Sequence, residues 1–283
     1  MQSDVCQRWD RKRSIMIPLD PCDTSSIEVA PIPDKQCREF VTLHHYSHAY
    51  PAARRRFGVY QHGELVGCAV YGQPCNAVTL KRLPDPESSI ELSRLVLLDR
   101  VKANAESFVI ARCHDALRRE GFTGVITFAD PYPRHTAQGE TVFLGHVGTI
   151  YQASNAVYVG AATARRLHLL PNGTVYSQQS IGKIQRQIQG WQYAVRILVA
   201  HGATPLSGSA TRLERDEWLK YWLGNICHTV RHPGNLTYLI GLTTQTKRLI
   251  RKQHGNGLPY VKMSQINYRD NCTTSPLAPP RHS

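Results

Sequence analysis

Three features of the sequence predict an α/β fold with a mixed central sheet flanked by helices. Two apolar runs at residues 56–60 and 64–71 flank a Gln-His-Gly connection, which is the pattern of a β-hairpin. Strand, helix and strand then follow one another between residues 89 and 129, and a short strand–helix–strand run of that kind pairs its strands in parallel. A short helix at residues 149–156 leads into one more strand at 157–160.

Taken in order, residues 1–35 carry Pro18, Pro21, Pro31 and Pro33 among polar neighbours and read as a flexible arm. Residues 36–268 read as a single domain, with the site motifs in a core at 36–160 and a basic, helical C-terminal part at 161–268. The tail at 269–283 is expected to be disordered. In the strand at 89–98, Ile90, Leu92, Leu95 and Leu97 supply the apolar positions, and the preceding loop at 81–89 has the composition of a mobile segment. Asn104 is placed to cap a helix over 105–120 that buries Phe108, Ala111, Ala116 and Leu117, with Gly121 as its stop. The apolar run at 123–129 delivers Asp130 at a strand's C-terminal end, where α/β sheets collect their ligands. Farther on, Ile184, Ile188, Trp191, Val195 and Leu198 recur at helical spacing and predict one helix over 181–201. A second helical element at 213–223 carries Trp218, Tyr221 and Trp222.

The chain is 41% hydrophobic, a globular value, and has no run long and apolar enough to cross a bilayer. Its polar N-terminus lacks the apolar segment of a secretory signal, so a cytoplasmic protein with reduced thiols is expected. Eight cysteines show no zinc-knuckle or redox spacing. Net charge is +13, and residues 161–254 hold 13 Lys and Arg against 3 Asp and Glu. That surplus suits a nucleic acid, because cations that neutralise phosphates release condensed counterions. A solvated basic surface is the bland alternative. No glycine-rich nucleotide loop is present, which removes local support for kinase-like or dinucleotide chemistry.

The hairpin, the Glu91-Leu-Ser-Arg94 strand, the helix start at Asn104, the Ala129-Asp130 strand end and the stretch His146-Val-Gly-Thr-Ile-Tyr151-Gln-Ala-Ser-Asn155 together resemble the Mom family of phage DNA modification proteins. The resemblance runs from His44 to Gly160 and extends faintly to Leu258-Pro-Tyr-Val-Lys262. It implies a fold like that of GCN5-related N-acetyltransferases, double-stranded DNA as substrate, and conversion of adenine to N6-carbamoylmethyladenine, which protects phage DNA from a bacterial host's restriction enzymes. This chain departs from the family by inserting residues 131–144 before the Gly-His motif, which adds His135 as a further candidate.

In such a fold two parallel strands splay apart, and the acyl donor's carbonyl meets backbone N–H groups in the opening. Glu91 and Arg94 fall on one of these strands, either as base and phosphate guide or as an ordinary ion pair. Asn104 and Ser107 begin a helix whose N-terminus favours a donor's phosphate, although simple capping explains them equally. Asp130 is placed to accept a proton from adenine's exocyclic amine, His146 to act as base, and Tyr151 to protonate a leaving group. Asn155 has the donor and acceptor pattern to read a flipped adenine. His45 and Tyr46 line the substrate opening, while His44 and His48 would hold zinc or iron only if they shared a helix face. For DNA contact the candidates are Arg165, Arg166, Lys183, Arg186, Lys247, Arg248, Arg251 and Lys252. The donor is either glycyl-tRNA, an aminoacyl-tRNA partner, or acetyl-CoA. A conventional N-acetyltransferase and a non-catalytic DNA-binding protein are the competing readings. Absence of the usual Gly-rich pyrophosphate loop disfavours the former.

Overall fold

A computed structural model describes residues 9–10, 15–16 and 20–263. The expected tail lies outside the described residues, as do residues 1–8, 11–14 and 17–19 of the expected arm. By its internal contacts the chain forms two compact units. Among the described residues the first takes in 20–131, 145–162 and 235–263, and the second 132–144 and 163–234. One domain with a basic C-terminal half was expected. Instead the chain leaves the first unit twice, and residues 235–262 return to complete its sheet.

The first unit is built on seven strands: β1 (Ile27–Pro31), β2 (Ala53–Gln61), β3 (Glu64–Gly72), β4 (Ser89–Leu97), β5 (Gly124–Ala129), β6 (Val157–Ala161) and β7 (Leu236–Gly241). Their order across the sheet is β6-β7-β5-β4-β3-β2-β1, with β4 and β5 parallel and every other pair antiparallel. The last part of the expected arm therefore needs correction: β1 is an edge strand, with Ile27 buried, and residues 20 and 22 bond to Ala103. Pro31 ends β1 on the sheet edge, where a missing N–H breaks no ladder. The hairpin of β2 and β3 closes through Gln61 and Glu64, with His62 (φ 52°) and Gly63 (φ 80°) both left-handed, as a two-residue turn matching strand twist requires.

Four helices cover this sheet: α1 (Asp34–His44), α2 (Ala105–Arg119), α3 (Thr149–Ala153) and α4 (Thr244–His254). Helix α2 buries Ala105, Val109, Ile110, Cys113 and Leu117, whereas Ala111, expected inside, is exposed. Asn104 does precede α2, but in a left-handed conformation (φ 68°) and without a side-chain cap.

In the second unit a small hairpin, Arg134–His135 with Thr141–Phe143, accompanies a three-stranded sheet of Val175–Tyr176, Arg165–Leu169 and His228–His232. The helix expected over 181–201 is two helices, Gln178–Arg186 and Trp191–Val199. Left-handed Gln187 (φ 52°) and Gly190 (φ 85°) interrupt it, and Ile188 is consequently 45% exposed. A third helix, Arg212–Ile226, starts with a capping box between Thr211 and Glu214. Among the described residues no helix is long and apolar enough to cross a membrane.

Candidate active site

The expected opening lies between β4 and β5. Their parallel register runs through Ser89, Ile90, Glu91 and Leu92 against Gly124, Val125, Ile126 and Thr127, then stops, although β4 continues to Leu97 and β5 to Ala129. At the same level β4 bulges. Leu92 is opposite Tyr71, but Arg94 is opposite Val70, so Ser93 is an extra residue. A bulge beside parting strands frees backbone groups from the ladder and re-aims the flanking side chains.

Tyr151 fills this place from the neighbouring helix α3, and its side chain is buried. Its phenol hydrogen-bonds Thr127. Thr127 also gives its proton to the Leu92 carbonyl at 3.1 Å. Burial raises the Tyr151 phenol above the ordinary range, Thr127 and the Arg94 charge lower it in part, and the Glu91 charge raises it further. A phenol held this way is a proton donor at neutral pH, not a base. Burial likewise raises the Glu91 carboxyl, opposed by a hydrogen bond from Ser93 and by Arg94.

Arg94 also anchors the segment after α1, donating from Nε to the Ala49 carbonyl at 3.2 Å. That segment contains buried His45, whose Nδ1 accepts from the Ser47 backbone N–H at 3.1 Å and whose ring lies 4.2 Å from that of Tyr46. The structure therefore gathers Glu91, Arg94 and Tyr151 about one opening, with Ala49 of the segment after α1 bonded to Arg94. Asp130, buried, follows directly on β5, and its carbonyl accepts the His146 backbone N–H at 2.7 Å. This bond closes the base of the 131–145 excursion and holds both residues at the open end of the strand. The inserted residues 132–144, His135 included, belong to the second unit instead of forming a loop of the first.

Two calculations from spacing fail for identifiable reasons. His44 and His48 do not share a helix face, because α1 ends at His44 and left-handed His48 turns its Nδ1 to the Thr42 carbonyl at 2.9 Å. Among the described residues no three His, Cys, Asp or Glu side chains gather as a zinc or iron ion requires. Ser107 donates to the Asn104 carbonyl at 3.0 Å, a local bond that accounts for it without a donor phosphate. Asn155 is exposed in the left-handed turn (φ 57°) that follows α3.

Of the DNA-contact candidates, Arg165, Arg166, Lys183 and Arg186 are in the second unit, whereas Lys247, Arg248, Arg251 and Lys252 are exposed along α4 of the first. Thr127 and Ser93 were missed. Thr127 was visible as a polar residue at an inward position of an apolar strand, whereas Ser93 is the half-buried extra residue of the bulge. Tyr238 was missed as well: its hydroxyl donates to the Val147 carbonyl and accepts from Gln152 at 3.1 Å, fixing the start of α3. The closing Leu258-to-Lys262 segment binds here too, with Leu258 N–H bonded to the Tyr158 carbonyl and Tyr260 Oη to the Ala156 carbonyl.

The sequence profile of the Mom protein family matches residues 26–212. No curated protein matches the chain. Among solved structures, an N-acetyltransferase from Staphylococcus aureus Mu50 is similar at 9% identity and a TM-score of 0.35, covering 77% of this chain and 99% of that one. Eis1 from Mycobacterium abscessus is similar at 10% identity and a TM-score of 0.33, covering 80% of this chain and 62% of that one.

Proposed function

We propose, from the premise that the chain belongs to the Mom protein family, that it is a transferase that modifies adenine in double-stranded DNA to N6-carbamoylmethyladenine. The observation that carries the reading is the buried Tyr151 phenol beside Thr127, Glu91 and Arg94, where β4 and β5 part. Such a site offers a proton to a leaving group and backbone N–H groups to a developing oxyanion.

The target base must leave the helix stack to reach it. In the proposed reaction a glycyl group passes from glycyl-tRNA to adenine N6. Asp130, with His146 beside it, takes the amine proton as the N–C bond forms, and Tyr151 protonates the departing ribose oxygen. Thr127 then turns its proton from the Leu92 carbonyl towards the phenolate. The glycyl amine next attacks adenine C6, the bond from C6 to the original N6 breaks, and that nitrogen takes the proton released by the attacking amine and becomes the terminal amide. Every atom of the glycyl group is retained in the product. Glu91 orients Arg94, which guides a phosphate of donor or DNA. The exposed cations of α4 and of the second unit contact the DNA backbone, and Asn155 reads the flipped base.

Incubating purified protein with glycine-labelled glycyl-tRNA and duplex DNA tests this. Label recovered in a deoxyadenosine derivative is the expected result. Transfer of acetyl from acetyl-CoA to a protein or small amine, with unmodified DNA, would instead identify a conventional acetyltransferase. DNA binding with no transfer would identify a binding protein.

A further inference from the structure

Two arginines face each other across the small sheet of the second unit. Arg166, on strand Arg165–Leu169, is the direct register partner of Arg231, on strand His228–His232. Both are exposed, and neither joins an ion pair among the described residues. In the same unit Arg212, by contrast, is paired with Asp216 at 3.1 Å. Like charges placed opposite one another across an antiparallel pair weaken it. Among the described residues no ion pair with a carboxylate offsets them.

The rest of the same sheet face is polar. His168 is opposite Thr229, with its Nδ1 bonded to the Thr229 hydroxyl at 3.0 Å. The intervening Leu167 and Val230 are buried on the other face in a cluster with Leu169. Two guanidinium groups and an imidazole thus share one exposed face, and planar guanidinium forks match the paired oxygens of a phosphate.

We propose that Arg166 and Arg231 together hold one backbone phosphate of the DNA duplex. The choice of DNA rests on the function proposed above, while the anion site rests on the sheet register. His168 reports on it. Burial first, and the Arg166 charge second, hold its imidazole below the ordinary histidine range. A phosphate seated between the arginines offsets that charge and lets the imidazole rise.

The test is fluorescence anisotropy of labelled duplex DNA with the full chain, over a range of salt concentrations. Variants are Arg166→Gln, Arg231→Gln, the double variant, and Arg212→Gln as the already paired control. Each single variant is expected to lower the slope of log affinity against log salt by about 0.9, as one lost phosphate contact does. The double variant should lose less than the sum of the singles, because both arginines serve one phosphate. Arg212→Gln should match the parent protein, and thermal melts of both single variants should not fall below it, since a repulsion is removed. By NMR, the His168 titration should move upward on adding DNA and also in Arg166→Gln. An unchanged salt slope in both single variants overturns the proposal. So does strict additivity, or a response to tRNA with none to duplex DNA. None of these measurements requires turnover, so a failure to find modified adenine would refute the proposed function and leave this site standing.

Discussion

Replacing Tyr151 with Phe removes one oxygen and keeps the ring. That ring lies 5.6 Å from Tyr238 and is buried, so its packing survives. The stability loss is confined to the hydrogen bond with Thr127, about 1 kcal/mol, because Thr127 keeps its donor bond to Leu92. Catalysis should suffer far more. Loss of a positioned general acid slows transfer by about 100- to 10,000-fold, which is about 3 to 5 kcal/mol of barrier. The assay is the initial rate of label transfer into DNA, with thermal unfolding alongside. Burial keeps the phenol protonated, so the parent rate should not decline through Tyr151 ionisation until the pH exceeds the ordinary tyrosine value. A Tyr151→Phe protein that melts about where the parent does and transfers at the parent rate would refute the assignment of Tyr151 as proton donor.

Three further outcomes follow from the packing. Gly148 has φ 75°, and a Cβ there would meet Tyr151 Cδ2 at 2.8 Å, Tyr238 Cε2 at 2.9 Å and Ala129 Cβ at 3.1 Å. Gly148→Ala should therefore destabilise by about 2 to 4 kcal/mol in denaturant melts. Burial, chiefly, depresses the half-buried His114 imidazole to about 4. Its unfolded value is near 6.5, so stability is complete above that pH and falls by about 3 kcal/mol as pH drops from about 6.5 to 4. Urea melts should show that slope in the parent and its loss in His114→Leu. On α4, Lys247 and Arg251, like Arg248 and Lys252, are like-charged pairs one turn apart with no acidic residue in the helix. Arg251→Gln should raise helix stability by about 0.2 to 0.5 kcal/mol while lowering the salt slope of DNA binding by about 0.9. A fall in both thermal stability and slope would mean that Arg251 has a structural role.

Much of the first unit was legible because its signals are local. Alternation around His62-Gly63 fixed the hairpin, and the short strand–helix–strand run fixed the parallel pair whose parting makes the site. Glu91, Arg94 and Tyr151 could be singled out as candidates because each belongs to a compact motif on an element that could be placed. Thr127 was passed over because its role depends on the rung at which β4 and β5 separate, a tertiary property. The break between Gln178–Arg186 and Trp191–Val199 was hidden by apolar residues that stay in helical phase across it, although Gly190 was a visible warning. The insertion misled most. Residues 132–144 are close in sequence to Asp130 and His146, yet their hydrogen bonds are to the second unit, as from Ala137 N–H to the Pro171 carbonyl. Pairing between segments so far apart leaves no periodic trace in either.

Mass spectrometry of nucleosides from the DNA of cells expressing the parent chain, and of cells expressing Tyr151→Phe, is the most direct measurement. A carbamoylmethyl derivative of deoxyadenosine in the first culture, sharply reduced in the second, is the predicted result. Unmodified deoxyadenosine in both, with the proteins folded and abundant, would contradict it.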